Sequence, residues 1–175
     1  MIQGEKVYLK SIESEDLNQL MEWRNSPYLR RYFREYREIN LAMQQNWYNK
    51  IIEDKNSLMF SIFESGTDKL IGCCGLCYIN WVHRYAELSI YIGVDNIYID
   101  ESGSAKETCR LLFNYGFNEL NLHKIWSEIY EFDLKKKELY ESLGFSQDGV
   151  LRDNYFHEGK WWHSIVLSLL SSEFY

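Results

Sequence analysis

Three cysteines stand close together in the chain, at Cys73, Cys74 and Cys77, and this spacing could serve redox chemistry or form half of a zinc site. A fourth, Cys109, lies far along the chain. The first three fall within LIGCCGLCYI, an apolar run typical of a strand, where a buried thiol packs as a small hydrophobic group. No second pair with zinc-ligand spacing follows. We therefore predict free, reduced cysteines in a cytoplasmic protein, with no metal site.

A basic and aromatic segment, YLRRYFREYREIN, carries four arginines. They are Arg30, Arg31, Arg34 and Arg37. Because a guanidinium binds carboxylates and phosphates through two parallel hydrogen bonds, this segment could hold an anionic acceptor such as a nucleotide diphosphate. The alternative is an exposed helix face whose charge is balanced by Glu35 and Glu38.

Composition and charge narrow the class of protein. The 175 residues are enough for one domain with a sizeable core, so we expect a single domain over 1–175. The formal net charge of −7 disfavours nucleic acid as a partner, because binding to phosphates needs clustered Lys and Arg. The N-terminus, MIQGEKVYLK, is charged and unlike a signal peptide, and no apolar run reaches the roughly 20 residues that span a bilayer. We expect no membrane partner.

Hydrophobic periodicity predicts the elements that position these residues. A strand at VYLKSI is followed by helices at DLNQLMEWRN and LAMQQNWYNKIIEDK and by strands at SLMFSIFES, KLIGCCGLCYIN and AELSIYIGV. A helix at AKETCRLLFNYGFNEL, a strand at HKIWSEIYE, a helix at DLKKKELYESLGF and two final strands complete the order. The strand–helix–strand passage predicts a crossover with some parallel pairing. We predict an α/β (α+β) fold with a central mixed, mostly antiparallel sheet and helices on both faces.

Four blocks, in the correct order and spacing, resemble the GNAT superfamily of N-acetyltransferases, and in particular the branch of the ribosomal-protein alanine N-acetyltransferases. The blocks are AELSIYIG, ESGSAKETCRLLFNYGFNELNLHKI, YEFDLKKKELYESLGF and GVLRDNYFHEGKWWHSIVLSLL. The resemblance covers essentially the whole chain. It implies the GNAT fold, a single acetyltransferase domain, acetyl-CoA as co-substrate and no metal.

The resemblance also implies where CoA binds. In this family a strand-to-helix turn with the pattern Gln/Arg-x-x-Gly-x-Gly/Ala holds the diphosphate on backbone N–H groups at the start of a helix. The implied contacts are Ser102, Gly103, Ser104, Ala105 and Lys106 for the diphosphate, the backbone of Leu88, Ile90, Tyr91 and Ile92 for pantetheine, and Asp133 and Lys136 for pantetheine or phosphate. The alternative for Lys136 is a solvated lysine face over 135–137.

Two acidic residues depart from the family pattern at this turn. Asp100 stands where Gln or Arg is usual, and Glu101 adds a second negative charge. A carboxylate facing a diphosphate would repel it. Either both side chains point to solvent, or Lys106 compensates, or CoA binding is weakened.

The resemblance further implies a catalytic pair. Glu87, on the strand that borders the pantetheine arm, would take a proton from the acceptor ammonium, through water. Tyr140 would protonate the departing thiolate, since a phenol with a pKa of about 10 is a donor at neutral pH. The alternatives are a solvent-facing Glu87 and a packed Tyr140. His83 and His123 are the other candidates for a base.

The acceptor site is predicted from the N-terminal helix and the final hairpin. Trp-Arg-Asn at 23–25 resembles acetyltransferases that act on nucleotide-linked amino sugars. The predicted acceptor contacts are Trp23, Arg24, Asn25, Arg30, Arg31 and Trp161. We expect a primary amine of a small molecule, such as an amino sugar, to attack acetyl-CoA directly in a ternary complex. The alternatives are a protein N-terminal amine and a non-catalytic CoA-binding or interaction module. Many family members dimerise, so a homodimer is a further expectation.

Overall fold

One mixed sheet organises the chain, and the computed structural model describes residues 1–174 as eight strands and four α-helices. The strands are β1 (Ile2–Gln3), β2 (Val7–Ser11), β3 (Leu58–Glu64), β4 (Leu70–Asn80), β5 (Tyr85–Ile92), β6 (Lys124–Tyr130), β7 (Ser146–His157) and β8 (Lys160–Leu170). The helices are α1 (Leu17–Asn25), α2 (Leu41–Glu53), α3 (Ser104–Asn114) and α4 (Leu134–Glu141). The predicted order of elements is confirmed except for the two-residue strand β1, which the sequence did not predict.

Strand order follows the connections along the chain. The sheet runs β1-β2-β3-β4-β5-β6-β8-β7, and its neighbours are antiparallel except for β5 and β6. These two are parallel because the chain crosses over through α3 between them, as parallel strands require. The predicted mixed, mostly antiparallel sheet of the GNAT fold is confirmed.

Helices cover both faces of the sheet, as two adjacent cysteines of β4 show. Successive residues of a strand point to opposite faces. Cys73 lines a cavity together with Arg24 of α1, whereas Cys74 lies beside Cys109 of α3. It follows that α1 and α3 lie on opposite sides of the sheet, with the core divided between them.

The cysteines are core residues. All four are free, and Cys73, Cys74 and Cys109 are buried. Burial raises the pKa of the thiols of Cys73, Cys77 and Cys109 to about 12, so they stay protonated at neutral pH. Within residues 1–174, no group of three or more His, Cys, Asp or Glu side chains is placed to hold a metal ion.

The arginine-rich segment is not a helix. After α1 ends at Asn25, the chain forms a single 3₁₀ turn at Arg30–Tyr32 and continues irregularly to α2. The Asn25 side chain closes this loop by bonding both the N–H and the C=O of Ile39, at 2.8 and 2.7 Å. The alternative of an exposed helix face is therefore wrong. Among the residues described, no helix is long and apolar enough to cross a membrane.

Candidate active site

Strands β5 and β6 separate beyond Glu87, and the gap between them forms the floor of the candidate site. They pair at three positions, the last joining Glu87 to Trp126. Strand β5 continues to Ile92 along β4, while β6 continues along β8. Between residues 88 and 91, the edge of β5 towards β6 has no strand partner in the described chain. Unpaired backbone groups there can bind an extended, amide-bearing ligand, and this is where the sequence placed the pantetheine arm.

A cavity of about 740 Å³ opens onto the gap between the two strands. Its walls come from α1, α2, the loop between them, the ends of β4 to β6 and α4. Ionic side chains of both signs line it. The carboxylates are Glu35, Asp54, Glu87 and Glu128, and the cations are Arg24, Arg34, Arg37, Lys50 and Lys136. The cavity is therefore suited to a charged or strongly polar substrate.

Glu87 is buried at the bottom of the cavity and held by Arg34. The guanidinium donates two hydrogen bonds, from Nη2 to Oε1 at 2.5 Å and from Nη1 to Oε2 at 3.3 Å. The same Nη2 lies 3.6 Å from Oε2 of Glu128. Glu87 is only 8% exposed, whereas half of the Arg34 side chain is exposed. Each oxygen of Glu87 thus accepts one hydrogen bond from Arg34, and an amine at the same positions would compete with this guanidinium.

Tyr140 is fully buried next to the point where the strands separate. Its ring stacks on Phe145 with centroids 5.0 Å apart, and its hydroxyl lies 3.5 Å from the Ser127 hydroxyl. Ser127 lines the cavity and lies 3.4 Å from the carbonyl of Leu88. Burial raises the pKa of Tyr140 well above its ordinary value, so the phenol keeps its proton at neutral pH. Tyr140 does not itself line the cavity; Ser127, whose hydroxyl donates to the phenol oxygen, is the polar group between Tyr140 and the cavity.

The turn before α3 is closed by a carboxylate from its own chain. Asp100 accepts hydrogen bonds from the N–H groups of Ser104 at 2.8 Å and Ala105 at 2.6 Å. The Ser102 hydroxyl donates a third at 2.5 Å. Gly103 precedes the helix with a φ of 98°, a conformation that residues with a Cβ rarely adopt. Two of the amides expected to bind the diphosphate, those of Ser104 and Ala105, are therefore engaged by Asp100.

Hydrogen bonding also sets the ionisation of Asp100. Burial acts to raise the pKa, but the bonds from Ser102, Ala105 and Ser104 outweigh it and hold the pKa of Asp100 below its ordinary value. Of the alternatives left by the sequence, a solvent-facing Asp100 is wrong, while Glu101 is exposed. No ion pair within residues 1–174 joins Lys106 to Asp100.

Asp133 and Lys136 lie together at the start of α4. Asp133 accepts the Tyr98 hydroxyl at 2.5 Å and the Lys136 N–H at 3.1 Å, and the second bond caps the helix. Burial raises the pKa of Asp133 and lowers that of Lys136. The Lys136 ammonium lies 5.0 Å from the centroid of the Tyr98 ring and lines the cavity. Lys136 is thus a cavity residue, and a fully solvated lysine face is wrong for it.

Of the three residues predicted at 23–25 as an acceptor wall, one lines the cavity. Arg24 lines the cavity. Trp23 instead packs in the core, edge-on to Tyr91 and so close to Gly93 that a Cβ there would lie 2.0 Å from the indole. Asn25 holds the backbone of Ile39. Trp23 and Asn25 therefore have a structural role next to the cavity, because Trp23 packs in the core and Asn25 is hydrogen-bonded to Ile39.

Two of the four arginines in the arginine-rich loop line the cavity and two do not. Arg30 donates to the carbonyl of Tyr36, and Arg31 lies over the ring of Phe132 at 5.1 Å, so neither lines the cavity. Arg34 and Arg37 do line it. The choice of Arg30 and Arg31 as the acceptor contacts is therefore not supported by their positions, because an irregular loop does not orient its side chains with helical spacing.

Three further predicted residues lie away from the cavity. Trp161 is 60% exposed on the β7–β8 hairpin, with its ring against Phe156. His83 and His123 are both exposed, and neither lines the cavity. The histidines are thus poorly placed to be the base, and Trp161 is poorly placed to contact an acceptor in this cavity.

Two polar residues of β6 were missed by the sequence analysis. Ser127 joins Tyr140 to the cavity, and Glu128 shares Arg34 with Glu87. Glu128 also accepts a hydrogen bond from Asn154 at 2.8 Å. The signal was present, since adjacent Ser and Glu interrupt an otherwise apolar strand, KIWSEIY. Their proximity to Glu87 depends on the parallel register of β5 and β6, which periodicity does not specify.

Comparison with known proteins identifies relatives that match over the full length. The family model described as acetyltransferase (GNAT) domain matches residues 9–166. The chain is 29% identical over 166 residues to the spermidine N(1)-acetyltransferase of Vibrio cholerae, covering 95% of this chain and 94% of that protein.

Solved structures agree with this similarity. The V. cholerae spermidine N-acetyltransferase in complex with CoA and spermine gives a TM-score of 0.88 at 28% identity, over 96% of this chain and 97% of that one. A dodecameric structure of the same enzyme in an intermediate state gives a TM-score of 0.79 at 29% identity, over 95% of each chain. These matches give no specific support to the ribosomal-protein branch expected from the sequence.

Proposed function

This chain belongs to the acetyltransferase (GNAT) family and is an N-acetyltransferase that uses acetyl-CoA, and from that premise we propose that its acceptor is a polyamine such as spermidine. Support comes from the full-length similarity to spermidine acetyltransferases, one of which was solved with CoA and spermine. The amino-sugar acceptor expected from the motif at 23–25 has less support, because Trp23 and Asn25 do not reach the cavity.

The observation that carries the proposal is the pair of carboxylates beside the separated strands. Glu87 and Glu128 face the same guanidinium nitrogen of Arg34. A primary ammonium carries the same charge and also donates N–H groups, so it can replace the guanidinium at these oxygens. Glu35 and Asp54, which also line the cavity, offer binding groups for the remaining nitrogens of a polyamine.

The proposed chemistry is direct attack of the amine on the thioester. With pantetheine along the free edge of β5, Glu87 takes the proton of the ammonium, and the amine nitrogen forms a bond with the carbonyl carbon while the C–S bond breaks. The thiolate receives a proton from the pair formed by the Ser127 and Tyr140 hydroxyls, whose oxygens lie 3.5 Å apart, and the second proton of the attacking nitrogen returns to that pair. The products are the N-acetylated amine and CoA.

A panel of acceptors tests the proposal. Acetyl transfer from acetyl-CoA is measured by release of free thiol and by product mass. The panel holds spermidine, spermine, a nucleotide-linked amino sugar and a peptide with an N-terminal alanine. We expect kcat/KM for a polyamine to exceed that of the others by at least roughly tenfold, because only a polyamine places two or more cations among these carboxylates. Preference for the sugar or the peptide would refute the proposed acceptor. Binding of CoA without turnover of any amine would favour the non-catalytic module.

We also propose that the chain self-associates. The V. cholerae relative has been solved as a dodecamer, and the β7–β8 hairpin of this chain exposes Phe156 and Trp161 at the edge of the sheet. Exposed large apolar side chains at a sheet edge are typical of an interface. Light scattering at micromolar concentration should give a mass above 21.1 kDa, and a monomer would contradict this proposal.

A further inference from the structure

The start of α3 already holds an anion, and that anion is the side chain of Asp100. Its two carboxylate oxygens each accept one backbone N–H of the first helical turn, from Ser104 and Ala105. The first N–H groups of a helix lack partners within it and attract negative charge. For the same reason, they are the groups that a bound phosphate uses.

The first turn of α3 is fixed in place, so helix movement does not release these amides. The Glu107 carboxylate accepts three backbone N–H groups from the N-terminal region, those of Glu5, Lys6 and Val7, at 3.0, 2.8 and 2.9 Å. The Lys6 ammonium donates to the carbonyl of Ser102 at 2.5 Å. Because residues 5–7 bind both Ser102 in the turn and Glu107 in the helix, the part free to move is the side chain of Asp100.

We propose that Asp100 is an internal competitor of the CoA diphosphate, which must leave the first turn of α3 before the diphosphate binds there. This inference rests on the proposed function and on the CoA placement that the family resemblance implies, with the diphosphate at residues 102–106. A carboxylate and a diphosphate cannot occupy the same two amides, and like charges at this distance repel. Asp100 therefore lowers the affinity for CoA. It weakens binding of the diphosphate portion and does not change binding of the pantetheine portion.

The test compares Asp100→Ala and Asp100→Asn with Glu101→Ala. The control removes the neighbouring exposed carboxylate, which makes no hydrogen bond to the Ser104 or Ala105 amide. Isothermal titration calorimetry gives the Kd for CoA. We expect both Asp100 variants to bind CoA more tightly, by roughly tenfold or more for Asp100→Ala, and the control to change by less than about twofold.

A donor without the diphosphate separates competition from a general effect. Acetylpantetheine should show the same kcat/KM in Asp100→Ala as in the unaltered enzyme. Thermal melts verify folding, and Asp100→Asn, which keeps an acceptor oxygen for the helix amides, provides the test where Asp100→Ala does not fold.

The inference is overturned if CoA binding is unchanged or weaker in folded Asp100 variants, or if acetylpantetheine gains as much as CoA. The same measurement separates this failure from that of the proposed CoA site. If CoA binds with the same Kd whether or not Asp100 is substituted, only the inference about Asp100 is overturned. If neither the unaltered enzyme nor any variant binds CoA, the proposed CoA site is overturned as well.

Discussion

Two charged groups of the candidate site are each held by a partner from within the chain, but the partners differ in kind. Glu87 is held by Arg34, a half-exposed side chain from an irregular loop, while Asp100 is held by backbone amides of a helix. Displacing Arg34 requires a rotation of one exposed side chain, and an incoming ammonium restores the charge balance. Displacing Asp100 requires the loss of a helix cap, and an incoming diphosphate brings further negative charge. The acceptor end of the site is therefore easier to open than the turn before α3.

The largest effect on turnover is expected from Glu87, the proposed general base. Glu87→Gln keeps the shape of the buried side chain but cannot take a proton, so we expect kcat to fall by roughly 100-fold or more. Steady-state turnover of spermidine measures this. Glu35→Gln, which removes another cavity carboxylate, is the matched control and should change kcat by less than about fivefold. A similar, small loss in both variants would contradict the role of Glu87.

The next effect concerns the proton donor. Tyr140→Phe retains the stacking on Phe145 and loses the hydroxyl near Ser127, so we expect kcat to fall by about 10- to 100-fold with little change in CoA affinity. Ser127→Ala should reduce kcat in the same direction if the proton passes through it. Rapid-mixing measurement of thiol release checks both variants. Unchanged turnover in Tyr140→Phe would remove Tyr140 from the chemistry.

A smaller effect is expected from freeing the carboxylates. Arg34→Gln removes the guanidinium that competes with the acceptor for Glu87, so the KM for spermidine should fall by about fivefold while kcat changes little. Lys50→Gln is the control, because Lys50 lines the same cavity but forms no ion pair with a carboxylate within residues 1–174. A higher KM in Arg34→Gln would show that Arg34 binds the acceptor, as expected for an anionic one.

The smallest effect concerns stability against pH. The pKa of Asp100 is lowered in the fold, so its stabilising contribution is present above the ordinary carboxyl pKa of about 3.9 and is lost as pH falls through the folded value. Asp100→Asn keeps an acceptor oxygen but loses the negative charge at the helix N-terminus, which contributes about 0.3–1 kcal/mol. The free energy of unfolding, measured by urea from pH 6 to pH 3, should therefore exceed that of Asp100→Asn at pH 6. The difference should shrink below pH 4. A constant difference would contradict this assignment.

Much of the fold and the identity of Glu87 as the residue at the opening could be predicted from the sequence. Strand alternation and helical spacing are local patterns, so the element order and the crossover before β6 followed from them. The burial of the cysteines followed in the same way from the apolar run around them. The roles of Trp23 and Trp161 could not be predicted, since a motif does not state which side of an element faces a cavity.

By itself, the sequence determined the elements and the small residues of the turn before α3, because each depends on residues close together in the chain. The GNAT arrangement was an expectation from the resemblance of four blocks to that family. Only the tertiary structure decided which arginine meets Glu87, since these residues are 53 positions apart and meet through an irregular loop. It also decided that Asp100 turns inward to its own helix. The sequence left open whether this carboxylate faces solvent or the helix, and in the structure it accepts helix N–H groups that would be costly to leave unpaired.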